Sequence, residues 1–295
     1  MNKKTRHLLL LLLTAVIWGF AFTAQSFGGG AMGAYSFNTL RYVIGFLVLQ
    51  PVILKLSGSL RPDKNTLLGG IFCGICLGVA SSLQQVGILL TTPGKAGFLT
   101  AFYMVLVAVF GFFLKKKTDK TTWIAVILGV AGLWLICIPK GENLTVSRGD
   151  LLCILCAVFF AVHILVIDHF IVKADAVKMA AIQFLTAAAV SGICWLFSGE
   201  TLTLSMVKEG LLPLLYVGLL STGAAYTLQI VGQEGVEPAI ASLIMSLESV
   251  FSLLGEAIFM GLSVTGREFL GCVIMFAAIL VTQLPDLLPV LRKGK

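Results

Sequence analysis

The chain has 295 residues, of which 58% are hydrophobic and 12% are charged, and its mean hydropathy is +1.00. This composition is too apolar for a soluble globular domain and predicts an all-α polytopic membrane protein. The net charge of +7 comes from basic residues concentrated in alternate predicted loops, which indicates membrane orientation rather than nucleic-acid binding.

Ten apolar stretches are each long enough to cross a hydrocarbon core about 30 Å thick. Their predicted limits are 7–27, 34–54, 67–90, 93–114, 121–138, 150–171, 177–197, 209–232, 238–261 and 266–284. If the N-terminus is cytoplasmic, fifteen basic residues lie on the inner side and five on the outer side. This asymmetry predicts that both termini are cytoplasmic in a multi-pass protein of the plasma membrane, the inner membrane of the cell.

Helix 1 places Trp18 near the middle of the membrane, either as a core residue or as part of a cavity wall. The glycines 28–30 that follow it predict a flexible turn. Helix 2 places Arg41 about two turns below the outer surface. Arg41 either extends to that surface or takes part in binding or gating, and the sequence leaves both interpretations open.

Helix 3 carries four polar residues within five positions, Ser81, Ser82, Gln84 and Gln85. Packing alone does not explain them, because polar groups inside a spanning segment are costly. Helix 4 begins with a Pro-Gly turn and carries Tyr103 near its middle.

Helix 6 carries His163 near mid-depth, and a lone histidine there is either hydrogen-bonded structure or a functional group. Gln183 in helix 7 is a further polar candidate for a cavity wall. Helix 8 adds Tyr226 and Gln229 on one face.

Helix 9 is apolar enough to span the membrane and yet carries Glu248 near its centre. A charge at the bilayer centre costs about 2.5–3.5 kcal/mol, so an ionisable residue there indicates function. Burial disfavours the ionised carboxylate, and a group that gains and loses a proton at working pH can couple proton movement to transport. The alternative is a permanently protonated Glu248 that hydrogen-bonds Ser246, His163 or Tyr226.

The chain divides into two copies of one five-helix pattern. The polar connection 139–150 predicts a boundary between residues 1–145 and 146–295. Because five is odd, the second copy must enter the membrane from the opposite side, which predicts two inverted repeats around a central cavity. Residues in register between the copies are Trp18 and Phe160, Arg41 and Gln183, Gln85 and Gln229, Pro93 and Pro238, and Tyr103 and Glu248. The candidate substrate-binding or cavity residues are Trp18, Arg41, Gln85, Tyr103, His163, Gln183, Tyr226, Gln229 and Glu248.

Motifs of metal and enzyme sites are missing from the sequence. Two C-x-x-C spacings, 73–76 and 153–156, lack the further ligands of a zinc site nearby in sequence, so we expect no metal or other cofactor. The chain contains no H-E-x-x-H, G-x-S-x-G or P-loop motif, so we expect neither enzymatic activity nor direct use of ATP.

Several weak motifs together resemble the ten-helix EamA-type branch of the drug/metabolite transporter superfamily. They are Trp18-Gly19, Leu40-Arg41-Tyr42, the run 247–251, the small-residue starts of helices 4 and 9, and the glycines of helices 5 and 10. The resemblance covers nearly the whole chain. It implies export or exchange of small metabolites, amino acids or drug-like compounds by alternating access.

The chain departs from the family pattern in two places. An acidic residue usual near the end of the fourth helix of each repeat is replaced by Lys117 and Leu262. The proline often found after the helix 9 glutamate is Ser249, which predicts a straighter helix 9.

We therefore expect a secondary transporter with a small-molecule substrate, acting in the lipid bilayer as a monomer or weak homodimer, with proton coupling through Glu248 as a further hypothesis. The alternatives are a channel, a scaffold or a receptor-like membrane protein and, less favoured, an intramembrane enzyme.

Overall fold

The computed structural model describes residues 2–116, 119–137 and 146–293, with side chains up to Thr282 except that of Cys137. The predicted boundary at 145/146 and the Lys117 substitution involve residues outside this description. The helices are α1 Lys3–Met32, α2 Ala34–Ser57, α3 Lys64–Leu90, α4 Pro93–Phe113, α5 Lys120–Cys137, α6 Arg148–Phe170, α7 Ala176–Ser198, α8 Leu211–Gln233, α9 Pro238–Met260 and α10 Gly266–Lys293. A short helix, Leu204–Glu209, precedes α8.

Eight helices in the described part of the chain, α1–α4 and α6–α9, are long and apolar enough to cross a membrane, and α5 is a shorter apolar helix. Many of their large apolar side chains face outward, among them Leu196, Phe197 and Leu212, which are each about four-fifths exposed. Lipid tails can cover such a surface, whereas water cannot do so without a large free-energy cost. The protein is therefore an all-helical, polytopic membrane protein.

Helix α1 is longer than its sequence predicts. Its glycines 28–30 continue the helix instead of forming a turn, and the chain reverses at Gly33, where φ is +96°. The reason is close packing, because a Cβ atom at Gly28 would collide with the Phe37 ring and one at Gly29 would collide with Gln85. These glycines bring α2 and α3 close to α1.

The helices pack in the same pattern in both halves of the molecule. Helix α1 packs against α8 and α9, and α6 packs against α3 and α4. Helix α2 packs against α7 and α8, and α7 packs against α2 and α3. The remaining pair, α5 and α10, is in close contact at Gly132 and Gly271, where a Cβ on Gly271 would lie 2.6 Å from the Gly132 carbonyl oxygen. Every contact named here has a counterpart when α1–α5 are exchanged with α6–α10.

Helices α4 and α9 are both interrupted near their middles. Helix α4 consists of the segments Pro93–Ala101 and Tyr103–Phe113, and α9 of the segments Pro238–Met245 and Glu248–Met260. The backbone tightens at both points, with i→i−3 hydrogen bonds from Val105 N to Phe102 O (3.0 Å) and from Val250 N to Leu247 O (2.9 Å).

The prediction of a helix 9 straighter than one with a proline stays a prediction, and α9 tightens at this point with Ser249 in the proline's place. Two serine hydroxyls are hydrogen-bonded to the backbone there. Ser246 Oγ donates to Leu243 O and Ser249 Oγ donates to Ser246 O, each at 2.7 Å. Such bonds to carbonyls one turn earlier compete with the helix's own hydrogen bonds.

Helix α8 contains an 11-residue π-helical stretch, Tyr216–Tyr226. Such stretches are rare and leave backbone carbonyls available to other donors. Here, the Ser221 carbonyl accepts a hydrogen bond from Trp18 Nε1 (3.2 Å), and the Ala225 carbonyl accepts one from Thr14 Oγ1 (3.2 Å). The π-helix thereby attaches α8 to α1.

Ion pairs connect helix ends that are distant in sequence. Lys3, at the start of α1, pairs with Glu234 just after α8 (2.8 Å), and this hydrogen bond lowers the pKa of Glu234. Lys95 near the start of α4 pairs with Asp150 near the start of α6 (2.7 Å). Both pairings are those expected if successive helices alternate in direction.

Candidate functional site

A small cavity lies at the centre of the bundle and is lined by side chains from α1, α2, α3, α4, α6, α8 and α9. The described lining residues are Trp18, Phe22, Gln25, Arg41, Gln84, Thr100, Tyr103, Phe160, Ser221, Tyr226 and Glu248. The cavity volume is about 20 Å³. A water molecule needs at least about 10–15 Å³ by this measure, so the cavity holds about one water.

Aromatic rings form two sides of the cavity. Trp18 packs against Tyr226 with ring centroids 4.6 Å apart, and Phe160 meets Tyr103 edge to face at 6.4 Å. Trp18 is only 9% exposed and donates through its indole N–H to the π-helix. It is thus both a packing residue and part of the cavity wall.

Arg41 is buried against the cavity and does not extend to the surface, with an exposed fraction of 1%. Nη1 donates to Gln25 Oε1 at 2.7 Å and Nη2 donates to the Tyr42 hydroxyl at 3.0 Å, while the guanidinium carbon lies 4.8 Å from the centre of the Tyr42 ring. Nε has no hydrogen-bond partner among the described residues. The side chain is held rigidly and part of its donor capacity is unused.

Glu248 is the first residue after the break in α9, and Tyr103 is the first residue after the break in α4. The two side chains are neighbours in the cavity wall. The Tyr103 hydroxyl and the Glu248 carboxyl are close enough to interact, yet neither Tyr103 Oη nor Glu248 Oε1 makes a hydrogen bond of good geometry within the described part of the chain. The carboxyl group therefore has an unsatisfied oxygen at the centre of a membrane protein.

The hydrogen bonds proposed for a purely structural Glu248 are not formed. Ser246 donates to Leu243 O, and His163 Nε2 pairs with Gln183 Oε1 at 2.9 Å. No hydrogen bond joins Glu248 to Ser246, His163 or Tyr226 within the described residues.

The other predicted residues lie behind the cavity wall rather than in it. His163 and Gln183 form a buried pair next to the Tyr226 ring. Gln85 donates to the Gln25 backbone carbonyl at 2.9 Å and so joins α3 to α1. Gln229 is buried, and its Oε1 has no partner among the described residues.

Several lining residues are not among the sequence-predicted candidates. They are Phe22, Gln25, Gln84, Thr100, Phe160 and Ser221. Gln25 lies on the same face of helix 1 as Trp18 and Gln84 is adjacent to Gln85, so both carried a polar signal in the sequence. Gln84 donates to Thr100 Oγ1 at 3.2 Å, which makes Thr100 part of the same polar wall. Ser221 follows only from the π-helix, which the sequence pattern does not reveal.

The arrangement provides one basic group, one acidic group and several amide and hydroxyl groups inside an aromatic enclosure. This combination can bind a small polar molecule and fix its orientation. Any solute larger than water requires the walls to move apart, because the cavity volume is about 20 Å³. The breaks in α4 and α9 lie directly in these walls.

The EamA-like transporter family matches the chain twice, at residues 5–138 and at residues 147–284. An uncharacterised transporter of Archaeoglobus fulgidus is 28% identical and covers 93% of this chain and 84% of its own. The threonine/homoserine exporter RhtA of Escherichia coli strain K12 is 27% identical, covering 97% of this chain and 92% of its own. A crystal structure with 19% sequence identity shares the fold, with a TM-score of 0.80 and coverage of 95% and 97% of the two chains. The family matches extend over nearly the whole chain, and the protein belongs to the EamA-like transporter family.

Proposed function

We propose that the protein is a secondary transporter that exports or exchanges a small polar metabolite by alternating access. The observation that carries this proposal is the central cavity, which is lined by the two buried ionisable side chains Arg41 and Glu248. Buried ionisable groups in a membrane protein mark substrate or ion pathways, because their desolvation is otherwise costly. The contracted cavity matches a closed state between two open ones.

Alternating access requires two similar halves that move against each other. The family match at residues 5–138 and 147–284, and the equivalent packing of α1–α5 and α6–α10, support two inverted five-helix repeats and ten spans. Arg41, Gln25 and Gln85 form one hydrogen-bonded group, and His163 and Gln183 form another. We propose that these groups close the two mouths in turn.

Proton coupling through Glu248 is part of the proposal. The carboxyl borders the cavity, has an oxygen without a partner among the described residues, and lies beside the Tyr103 hydroxyl. Such a group can bind a proton in one conformation and release it in another, provided that its surroundings change as the cavity opens. The proton then exchanges with the substrate across the membrane.

Amino acids are the first substrates to test, since RhtA is a threonine/homoserine exporter. Purified protein in liposomes preloaded with unlabelled threonine should accumulate labelled threonine from outside by counterflow, in contrast to empty liposomes. Homoserine and a panel of other amino acids and organic acids should compete if they share the site. Flux of unrelated solutes without counterflow would indicate a channel and would contradict the proposal.

The topology has a separate test. We propose that Lys95 and Arg148 face outward and that Lys64 and both termini face the cytoplasm. A cysteine at position 148 should react with an impermeant maleimide in intact cells, whereas one at position 64 should react only after permeabilisation. The reverse pattern would contradict the proposed orientation.

A further inference from the structure

The guanidinium of Arg41 has no protein counter-ion in the described structure. Among the described lining residues, Arg41 is the one basic side chain and Glu248 the one acidic side chain. They form no ion pair with each other, and no other described carboxylate lies within 4.0 Å of Arg41. The remaining basic group near the start of α4, Lys95, is paired with Asp150.

The neutral partners of Arg41 hold the side chain without satisfying it. Arginine has five N–H groups. One hydrogen bond to Gln25 and one to Tyr42 leave three N–H groups without a described acceptor, including the N–H at Nε. A buried charge without a counter-ion destabilises the folded protein more than a buried ion pair does.

We propose, on the basis of the proposed transport function, that Arg41 binds the carboxylate of the transported solute, so that solutes with a free carboxylate are selected over their amides. The planar fork of a guanidinium matches the two oxygens of a carboxylate and can donate to both. Gln25 and Tyr42 fix the orientation of that fork before the solute arrives. The carboxylate of the solute then serves as the counter-ion that Arg41 lacks among the described residues.

A carboxylate would meet less repulsion from Glu248 than a phosphate would. Glu248 lies in the same small enclosure, and a doubly charged phosphate would meet more repulsion there than a singly charged carboxylate would. Inorganic phosphate therefore serves as a competing anion in the test.

The experiment compares acids with their amides in the purified, detergent-solubilised protein and in liposomes. The probes are threonine and threoninamide, phenylalanine and phenylalaninamide, and lactate and lactamide, of which the last pair lacks an amine. For at least one pair, we expect the acid to raise the melting temperature of the protein. We expect the corresponding amide to bind with an affinity at least about tenfold lower. Arg41→Gln should remove this difference, and Arg41→Lys should restore part of it.

The matched control is Lys95→Gln, which removes a positive charge outside the cavity and should leave the preference for the acid unchanged.

Equal binding of acids and amides, or stabilisation by phosphate but by none of the acids, would overturn the role of Arg41. If amides exchange across liposomes as fast as acids, transport stands and this inference fails. If acids bind through Arg41 but no solute is transported, the inference stands and the transport function fails. The comparison of each acid with its amide in the parent protein holds even if Arg41→Gln does not fold.

Discussion

Helices α4 and α9 have the same shape but different chemistry. Both are interrupted at mid-depth, and the residue that follows each break lines the cavity. In α4 that residue is Tyr103, which is neutral, and in α9 it is Glu248, which can titrate. The difference indicates that the break serves both halves as a structural device, whereas chemistry at the break is specific to the second half.

The surroundings of the two breaks also differ. Around the α9 break, Ser246 and Ser249 bond to the backbone, and α1 approaches so closely that a Cβ on Gly19 would lie 2.7 Å from the Glu248 carbonyl oxygen. The residue that corresponds to Gly19 in the other half is Ala161. The glycine that allows this close approach of α1 to the break in α9 is thus specific to the first helix of the first half.

The largest expected effect comes from Glu248→Gln. This change keeps the shape and hydrogen-bonding capacity of the side chain but removes its proton equilibrium. We expect accumulation driven by a pH gradient to fall to the level of empty liposomes while solute exchange continues. The measurement is uptake of labelled solute with and without the gradient.

Tyr103→Phe is the matched control at the other break. It removes one hydroxyl and no titrating group, so gradient-driven accumulation should persist within about threefold, equal to ~0.7 kcal/mol. Loss of accumulation in Tyr103→Phe alone would reverse the assignment of the two breaks.

A smaller effect is expected from Gly19→Ala, which adds a Cβ where the α9 backbone leaves no room. The nearest atoms include the Phe251 carbonyl carbon at 2.8 Å, and backbone cannot move aside as a side chain can. We expect a loss of stability of about 1–3 kcal/mol, measured by thermal or denaturant unfolding in detergent.

Gly30→Ala in the same helix provides the control, because no atom lies within 4 Å of its Cβ position. Alanine is the better helix former, so this variant should be unchanged or more stable by up to about 1 kcal/mol. Equal destabilisation by both variants would show that the α1–α9 approach is not the cause.

The smallest effect concerns the serines at the break. Replacing both Ser246 and Ser249 by alanine should make α9 more regular and slow exchange by about twofold, which corresponds to ~0.4 kcal/mol. Ser242→Ala is the control, since Ser242 makes the same kind of bond, to Ala239 O at 2.9 Å, before the break. Liposome exchange rates and amide hydrogen exchange at Val250 distinguish the variants. An equal effect of Ser242→Ala would contradict a special role for the break.

Much of the candidate site could be predicted from single residues. Trp18, Arg41, Tyr103, Tyr226 and Glu248 were identified because polar or amphipathic side chains inside apolar spans need a reason, and all five line the cavity. Gln85, His163, Gln183 and Gln229 carry the same signal but lie behind the wall. The sequence shows that a residue is polar and lies within a membrane span. It does not distinguish a residue that lines the cavity from one that forms hydrogen bonds behind the cavity wall.

The helical, membrane-embedded character of the protein follows from its sequence alone, because a long apolar run partitions into lipid as a helix whatever the rest of the chain does. The sequence also determined which residues are costly to bury. The fold adds that glycines 28–30 continue α1, that α9 is interrupted without a proline, and that Tyr216–Tyr226 is a π-helix. The first and the last of these features involve contacts between helices far apart in the chain, such as that of Gly28 with Phe37 and that of Trp18 with Ser221, and a local preference does not encode such contacts.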